Sequence, residues 1–129
     1  MTIAVAHFDS DRGRAALRYA AEEAQFRKQP LVVLRIIPGV DEVTVEDPAI
    51  LAQVGAELTD FADVPWTLRT APEAFDTAEA LLDLAEEVGA TLLVIGSRHR
   101  TRVGKLLLGS TVQRVLLEAR VPILVVKAS

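Results

Sequence analysis

Five cations with no acid among them stand in the last third of the chain. Arg98, Arg100, Arg102, Lys105 and Arg114 fall within a stretch, Val88 to Leu117, that holds no aspartate or glutamate. The whole chain carries a formal net charge of −4, so the remainder has nine basic and eighteen acidic residues. A local basic segment on an acidic protein suits one bound anion better than a nucleic acid, which calls for a broad basic surface. Gly96 and Gly109 bracket most of it, and glycine lets a backbone come close to a ligand. Ser110 opens an amphipathic stretch, and the free amides of a helix N-terminus attract phosphate. A solvated, arginine-rich loop is the competing account of the same residues.

Other chemistry is weaker. Ser97, His99 and Asp9 are the residue types of a hydrolytic triad, but the chain has no Gly-x-Ser-x-Gly elbow and Ser97 lies too near His99 in sequence to pair with it. His7, His99 and Asp9 are metal-ligating types without ligand spacing, and two histidines on separate loops read as ordinary loop residues. A phosphoacceptor domain would end its third strand on an aspartate, whereas Arg69-Thr70-Ala71 stands there. Aromatic residues make up 5% of the chain, few for stacking a flavin, and Trp66 reads as a half-buried strand residue. No side chain is an evident general base, which argues against a dedicated enzyme.

The elements that would position these residues follow from periodicity. Thr2–Phe8, Leu31–Ile37, Val64–Thr70, Thr91–Ile95 and Pro122–Lys127 read as strands, most of them near-continuous apolar runs of the kind covered on both faces. Between them, helical spacing recurs. Ala16, Leu17, Ala20 and Ala24 share one face within Asp11–Lys28. Asp47-Pro48 opens a second helix with Ile50, Leu51, Val54, Leu58 and Phe61 on its face, although Gly55 weakens it. Asp76 with Glu79 resembles a capping box for a third helix, bearing Ala78, Leu81, Leu82, Ala85 and Val88 and stopped by Gly89. Ser110 with Gln113 forms a complete box for a fourth, bearing Val112, Val115, Leu116 and Ala119. Strict βα alternation with right-handed crossovers predicts a doubly wound parallel sheet with helices on both faces. Ligands bind such sheets beyond the carboxyl ends of the strands, where strand order reverses. His7–Ser10 and Gly96–His99 meet there if the first and fourth strands are neighbours.

The chain has 129 residues, one domain's worth, and no cysteine, so disulfides and thiol chemistry are absent. Half its residues are hydrophobic and a quarter charged, a globular balance. No leader-like or membrane-spanning apolar run is present, and the cytoplasm is the expected compartment.

The segment GSRHRTRVGKLLLGSTVQRVLLEARVPILVV resembles the universal stress protein signature, in which Gly, two residues, Gly, nine residues and Gly precede Ser or Thr. Gly96, Gly109 and Ser110 match it, as do the last helix and strand, and Ser10 with Arg14-Ala15-Ala16-Leu17 also resembles the family. The middle third, about Pro38 to Pro72, is similar in outline only and looks short. The resemblance implies a five-stranded sheet in order 3-2-1-4-5 and a homodimer. The apolar run Val121–Val126 points to the same last-strand edge, with Ile123 and Val125 at the interface. The resemblance implies ATP or AMP at the switch point in some members, with slow ATP hydrolysis at most and magnesium only alongside nucleotide, and none in others. Ile36 matches the position whose backbone meets adenine. Gly96, Ser97, Gly109, Ser110 and the amides of Thr111 and Val112 match the phosphate and ribose loop, with Asp9, Arg98, His99 and Arg100 nearby. Two residues depart from the pattern: His99 replaces the second signature glycine, and the aspartate that binders usually carry falls at Phe8, one position before Asp9. His99 either fills phosphate space, disfavouring ATP more than AMP, or swings out to hold a phosphate. The alternative is a family member that binds no nucleotide and works through its dimer surface.

Overall fold

The computed structural model describes residues 1–8, 10–38, 47–73, 76–97 and 109–127. Five parallel strands, β1 (Thr2–Ala6), β2 (Leu31–Ile37), β3 (Trp66–Pro72), β4 (Ala90–Ser97) and β5 (Ile123–Lys127), form one sheet in the order β3-β2-β1-β4-β5. Four helices alternate with them: α1 (Asp11–Arg27), α2 (Pro48–Glu57), α3 (Thr77–Glu87) and α4 (Ser110–Glu118).

Each strand face has its own core. On one face Ile3, Val5, Leu31, Val33 and Val94 pack against Leu17, Ala20 and Ala24 of α1 and Ile50 and Val54 of α2. On the other, Ala4, Ala6, Leu34, Leu93 and Ile95 pack against Leu81 and Ala85 of α3 and Val112 and Val115 of α4. The period of two in the strands thus divides each apolar run between two layers. The chain changes layer between β3 and β4. The connection after β1 therefore leaves toward the first face and the one after β4 toward the second, the topological reversal expected to hold a ligand.

Helix ends follow local chemistry. Ser10 Oγ accepts from the Gly13 amide (3.2 Å), and Lys28, with φ of 55°, closes α1 in a left-handed turn. Asp47 accepts from the Ala49 amide (2.9 Å) ahead of Pro48. Asp76 accepts from the Glu79 amide (2.8 Å), as the box pattern predicts.

Several boundaries differ from the sequence reading: α1 ends at Arg27 rather than Lys28, β3 ends at Pro72 rather than Thr70, β4 spans Ala90–Ser97 rather than Thr91–Ile95 and β5 starts at Ile123 rather than Pro122. Three others bear on the site or the core. β1 ends at Ala6 rather than Phe8, although the His7 amide still donates to the Leu34 carbonyl (2.8 Å). β3 begins at Trp66 rather than Val64. Pro65 has no N–H to give a ladder, so its carbonyl accepts from Leu31 and pairing starts one residue later. Phe61 ends a short 3-10 turn, Thr59–Phe61, rather than continuing α2, and is still buried.

Two glycines allow α1 to sit hard against the sheet. A Cβ on Gly13 would overlap the Phe8 carbonyl oxygen, and a Cβ on Gly96 would overlap the Arg12 carbonyl oxygen. In a free helix Gly13→Ala would gain about 1 kcal/mol of propensity. Here the clash is with backbone, which cannot rotate away, and overpacking of this kind costs about 1–3 kcal/mol. Gly13→Ala is therefore expected to lower the urea midpoint, the reverse of its propensity effect; an unchanged or raised midpoint would show that α1 can shift.

Helices α3 and α4 are tied by Arg114, which donates to Asp76 and pairs with Glu118 (3.1 Å). The Glu79 amide and then the Arg114 guanidinium hold the Asp76 carboxyl below its ordinary value of 3.8. A carboxyl depressed in the folded state contributes stability above its unfolded value and loses it as pH falls through the folded one. Wild type should thus shed this contribution below about pH 3.8, and Asp76→Ala should show a shallower acid slope in chemical denaturation. Parallel slopes for the two proteins would contradict the assignment.

Candidate functional site

Three strand exits set the site. Extended past its last pair, the β1–β2 register (Ala6 with Leu34) sets Phe8 level with Ile36, and the β1–β4 register (Val5 with Val94), extended likewise, sets it level with Ser97. Ile36, Phe8 and Ser97 therefore form a row across β2, β1 and β4 on the face covered by α3 and α4. Ile36 and Ser97 are buried and Phe8 is half-buried. Gly96, one residue back, faces the other side and accommodates α1. Two of the residues singled out in the sequence, Ile36 and Ser97, thus share a row, and Phe8 stands between them.

The start of α4 lies on the same face. Its N-cap is Gly109, in extended conformation, whose carbonyl accepts from the Gln113 amide (3.0 Å). Ser110 is thus the first helical residue, and among the described residues no side chain caps the helix. This corrects the sequence reading of Ser110 as N-cap, and the physical reason is that the extended Gly109 already supplies the first helical carbonyl. Val112 is buried under the sheet-facing side, Thr111 is half-buried and Ser110 is exposed. Amides of an uncapped first turn are available to an anion. Asp9, Arg98, His99 and Arg100 lie outside the described residues.

Phe8 carries a cation on its ring: the Arg12 guanidinium carbon is 5.2 Å from the centroid. At the centre of the row this chain therefore presents an aromatic face and a nearby positive charge, where an acid would present a hydrogen-bond acceptor and a negative one.

The sequence reading missed one cluster altogether. His7 reads as a loop histidine in the sequence, yet it is 1% exposed. Arg35 Nη1 donates to its Nδ1 (2.9 Å), and its Nε2 lies 3.2 Å from Glu57 Oε2. The signal was present in strand parity: His7 continues the inward series Ile3, Val5, and Arg35 continues Leu31, Val33. Two polar residues at matched positions on neighbouring strands must satisfy one another when the face is covered.

Grooves lined by described residues also lie away from the row. One of about 510 Å³ runs between α3 and α4, with Glu79, Asp83, Glu86 and Glu118 on its walls, a lining that repels phosphate despite Arg114 and Arg120. Another, about 580 Å³, runs between α1 and β5, with Tyr19, Leu124 and Val126 on its walls. Among the described residues no three histidine or acidic side chains converge as metal ligands, and no helix is long and apolar enough to cross a membrane.

Comparison with known proteins agrees with this geometry. The pattern of the Universal stress protein family matches residues 1–127. A universal stress protein of Mycolicibacterium smegmatis is 43% identical over 118 residues, covering 89% of this chain and 88% of that protein. Several mycobacterial relatives are longer, and the chain spans 47% of their length. Among solved structures, a universal stress protein in complex with cAMP has a TM-score of 0.78 at 26% identity, covering 100% of this chain and 98% of that one. The universal stress protein of Archaeoglobus fulgidus in complex with dAMP has a TM-score of 0.73 at 28% identity, covering 98% of each chain. With a family pattern spanning nearly its whole length and a sheet in the order β3-β2-β1-β4-β5, the chain belongs to the universal stress protein family.

Proposed function

We propose that this domain is a regulatory module that binds an adenine nucleotide at the exits of β1, β2 and β4, favouring a monophosphate over ATP. The observation that carries the reading is the row Ile36–Phe8–Ser97 on the face that also holds the uncapped start of α4. Adenine would meet the Ile36 backbone and the Phe8 ring, and the phosphate would accept from the amides at Ser110, Thr111 and Val112. Hydrogen bonds to a charged acceptor contribute about 1.5–3 kcal/mol each, whereas the dipole of an exposed helix adds about 0.3–1 kcal/mol. The amides therefore outweigh the dipole, and one helix start serves one phosphate group best. Structures of relatives with cAMP and dAMP, both monophosphates, support the choice, as does His99 in place of a signature glycine. Magnesium would enter only on the phosphates of ATP. Arg98 and Arg100 would screen the charge, and the setting would be the cytoplasm, where such nucleotides are abundant.

Gly109→Val is expected to abolish AMP binding in calorimetry, because a branched side chain would stand where the phosphate approaches the amides. Affinity equal to wild type would place any nucleotide elsewhere. Wild type should also bind AMP more tightly than ATP, and equal affinities would remove the monophosphate reading.

Dimerisation through β5 is the second part of the proposal. β5 is the sheet edge, paired only with β4 among the described residues, and Ile123, Leu124 and Val125 are each half-buried. Leu116, 41% exposed, sits on the flank of α4 opposite Arg114 and Glu118, which face α3. An apolar edge beside an exposed leucine suits a second copy of the chain. Val125→Lys should weaken association by roughly tenfold or more, since it buries an unpaired charge at the contact. Light scattering at micromolar protein reads the result, and a monomeric wild type would refute the assembly.

A further inference from the structure

Directly behind the row, on the opposite face of the sheet, His7 joins three elements. The imidazole side chain is 0% exposed and Glu57 only 16%. Arg35 belongs to β2 and adjoins Ile36, His7 follows β1 and adjoins Phe8, and Glu57 is the last residue of α2. A guanidinium has donors only, so the nitrogen it meets at 2.9 Å, Nδ1, must carry the lone pair. The proton then lies on Nε2 and is donated to Glu57 at 3.2 Å. Each group is in the one state that suits both neighbours: Arg35 donating, His7 neutral, Glu57 accepting.

We propose that His7 is a proton-sensitive positioning residue for the nucleotide site. In the neutral form it braces the β1 exit, the β2 exit and the end of α2 beneath Ile36 and Phe8. A proton from solvent can add only to the Nδ1 lone pair. Nδ1 then becomes a donor facing a donor, and the Arg35 hydrogen bond is lost while the Glu57 bond remains. The β2 exit, with the Ile36 backbone next to Arg35, is released from β1. Among the described residues the charged groups around the ring include Arg35 from β2, Glu57 from α2, and Arg12 of α1 over the neighbouring Phe8; Asp9 and Asp11 lie two and four residues on in the sequence. From β4, the continued register brings the uncharged Gly96 to this level. The effect on ligand rests on the nucleotide reading above; the brace itself does not.

The test combines two readouts that need no nucleotide with one that does. Nitrogen-15 imidazole spectra identify His7 as the ring missing from His7→Gln, and should show Nδ1 unprotonated and Nε2 protonated near pH 8. Trp66, the one tryptophan, lies against Gly55 of α2, where an added Cβ would be 3.8 Å from its ring, so its emission reports on α2. Acidification should titrate His7 and shift Trp66 emission with one midpoint, and His7→Gln should lack the step. Wild-type affinity for AMP should fall roughly tenfold across that midpoint, about the effect of one hydrogen bond to a charged group. His7→Ala should lose a similar factor at every pH, and His7→Gln, able to accept and donate without becoming charged, should recover it without the step. AMP's own phosphate titrates near pH 6, so the wild-type profile is read against that of His7→Gln. A Nδ1-protonated tautomer, a Trp66 step that persists in His7→Gln, or identical AMP profiles for the two proteins would each overturn the proposal. AMP binding absent from both, with tautomer and Trp66 step as expected, would sink the nucleotide reading and the positioning claim with it, while leaving the brace intact.

Discussion

The close seating of the first turn of α1 against two strand exits is the constraint on which the rest depends. Gly13 lets the helix touch the Phe8 carbonyl, and Gly96 lets β4 touch the Arg12 carbonyl. Any side chain at either position would separate α1 from the sheet. Because the contact fixes where β1 ends, it also fixes which residue follows the strand on each side: His7 toward α2, Phe8 toward α3 and α4. The row behind the candidate site and the histidine beneath it are both consequences of that one approach.

Most of the architecture was legible in the chain because its signals are local and agree with one another. The apolar runs at Leu31 and Thr91, and the Asp47-Pro48 and Asp76–Glu79 starts, need no tertiary information. Errors fell where a backbone donor or acceptor decided the outcome. Pro65 delayed β3 because it has no N–H, and Gly109 displaced Ser110 as cap because its carbonyl already began the helix. The site was legible in part. Ser97 came from the expected reversal of strand order and Ile36 from the family resemblance, and their common row follows from register. His7 was missed because a single polar residue past a strand looks solvated until the helix covering it is known. Only its pairing with Arg35 and Glu57 shows that burial is satisfied.

Phe8 shows why family membership alone does not fix the ligand. In a crevice meant for an anion, replacing a carboxylate by an aromatic ring removes a repulsion on the order of 2–4 kcal/mol for a charge a few ångströms away at intermediate dielectric. The same change removes an acceptor that could hold a sugar hydroxyl or a metal-bound water, at about 1–3 kcal/mol. The two effects oppose each other and depend differently on the ligand. Repulsion grows with phosphate charge, whereas the lost acceptor costs every nucleotide alike. Taken alone, Phe8 would therefore favour the more highly charged ligand. The proposed monophosphate preference would then rest elsewhere: on the helix start at Gly109 and on His99, which stands where the family signature has a glycine. If the domain binds nucleotide as proposed, substitution at Gly109 or His99 should erase an ATP–AMP difference that substitution of Phe8 leaves in place.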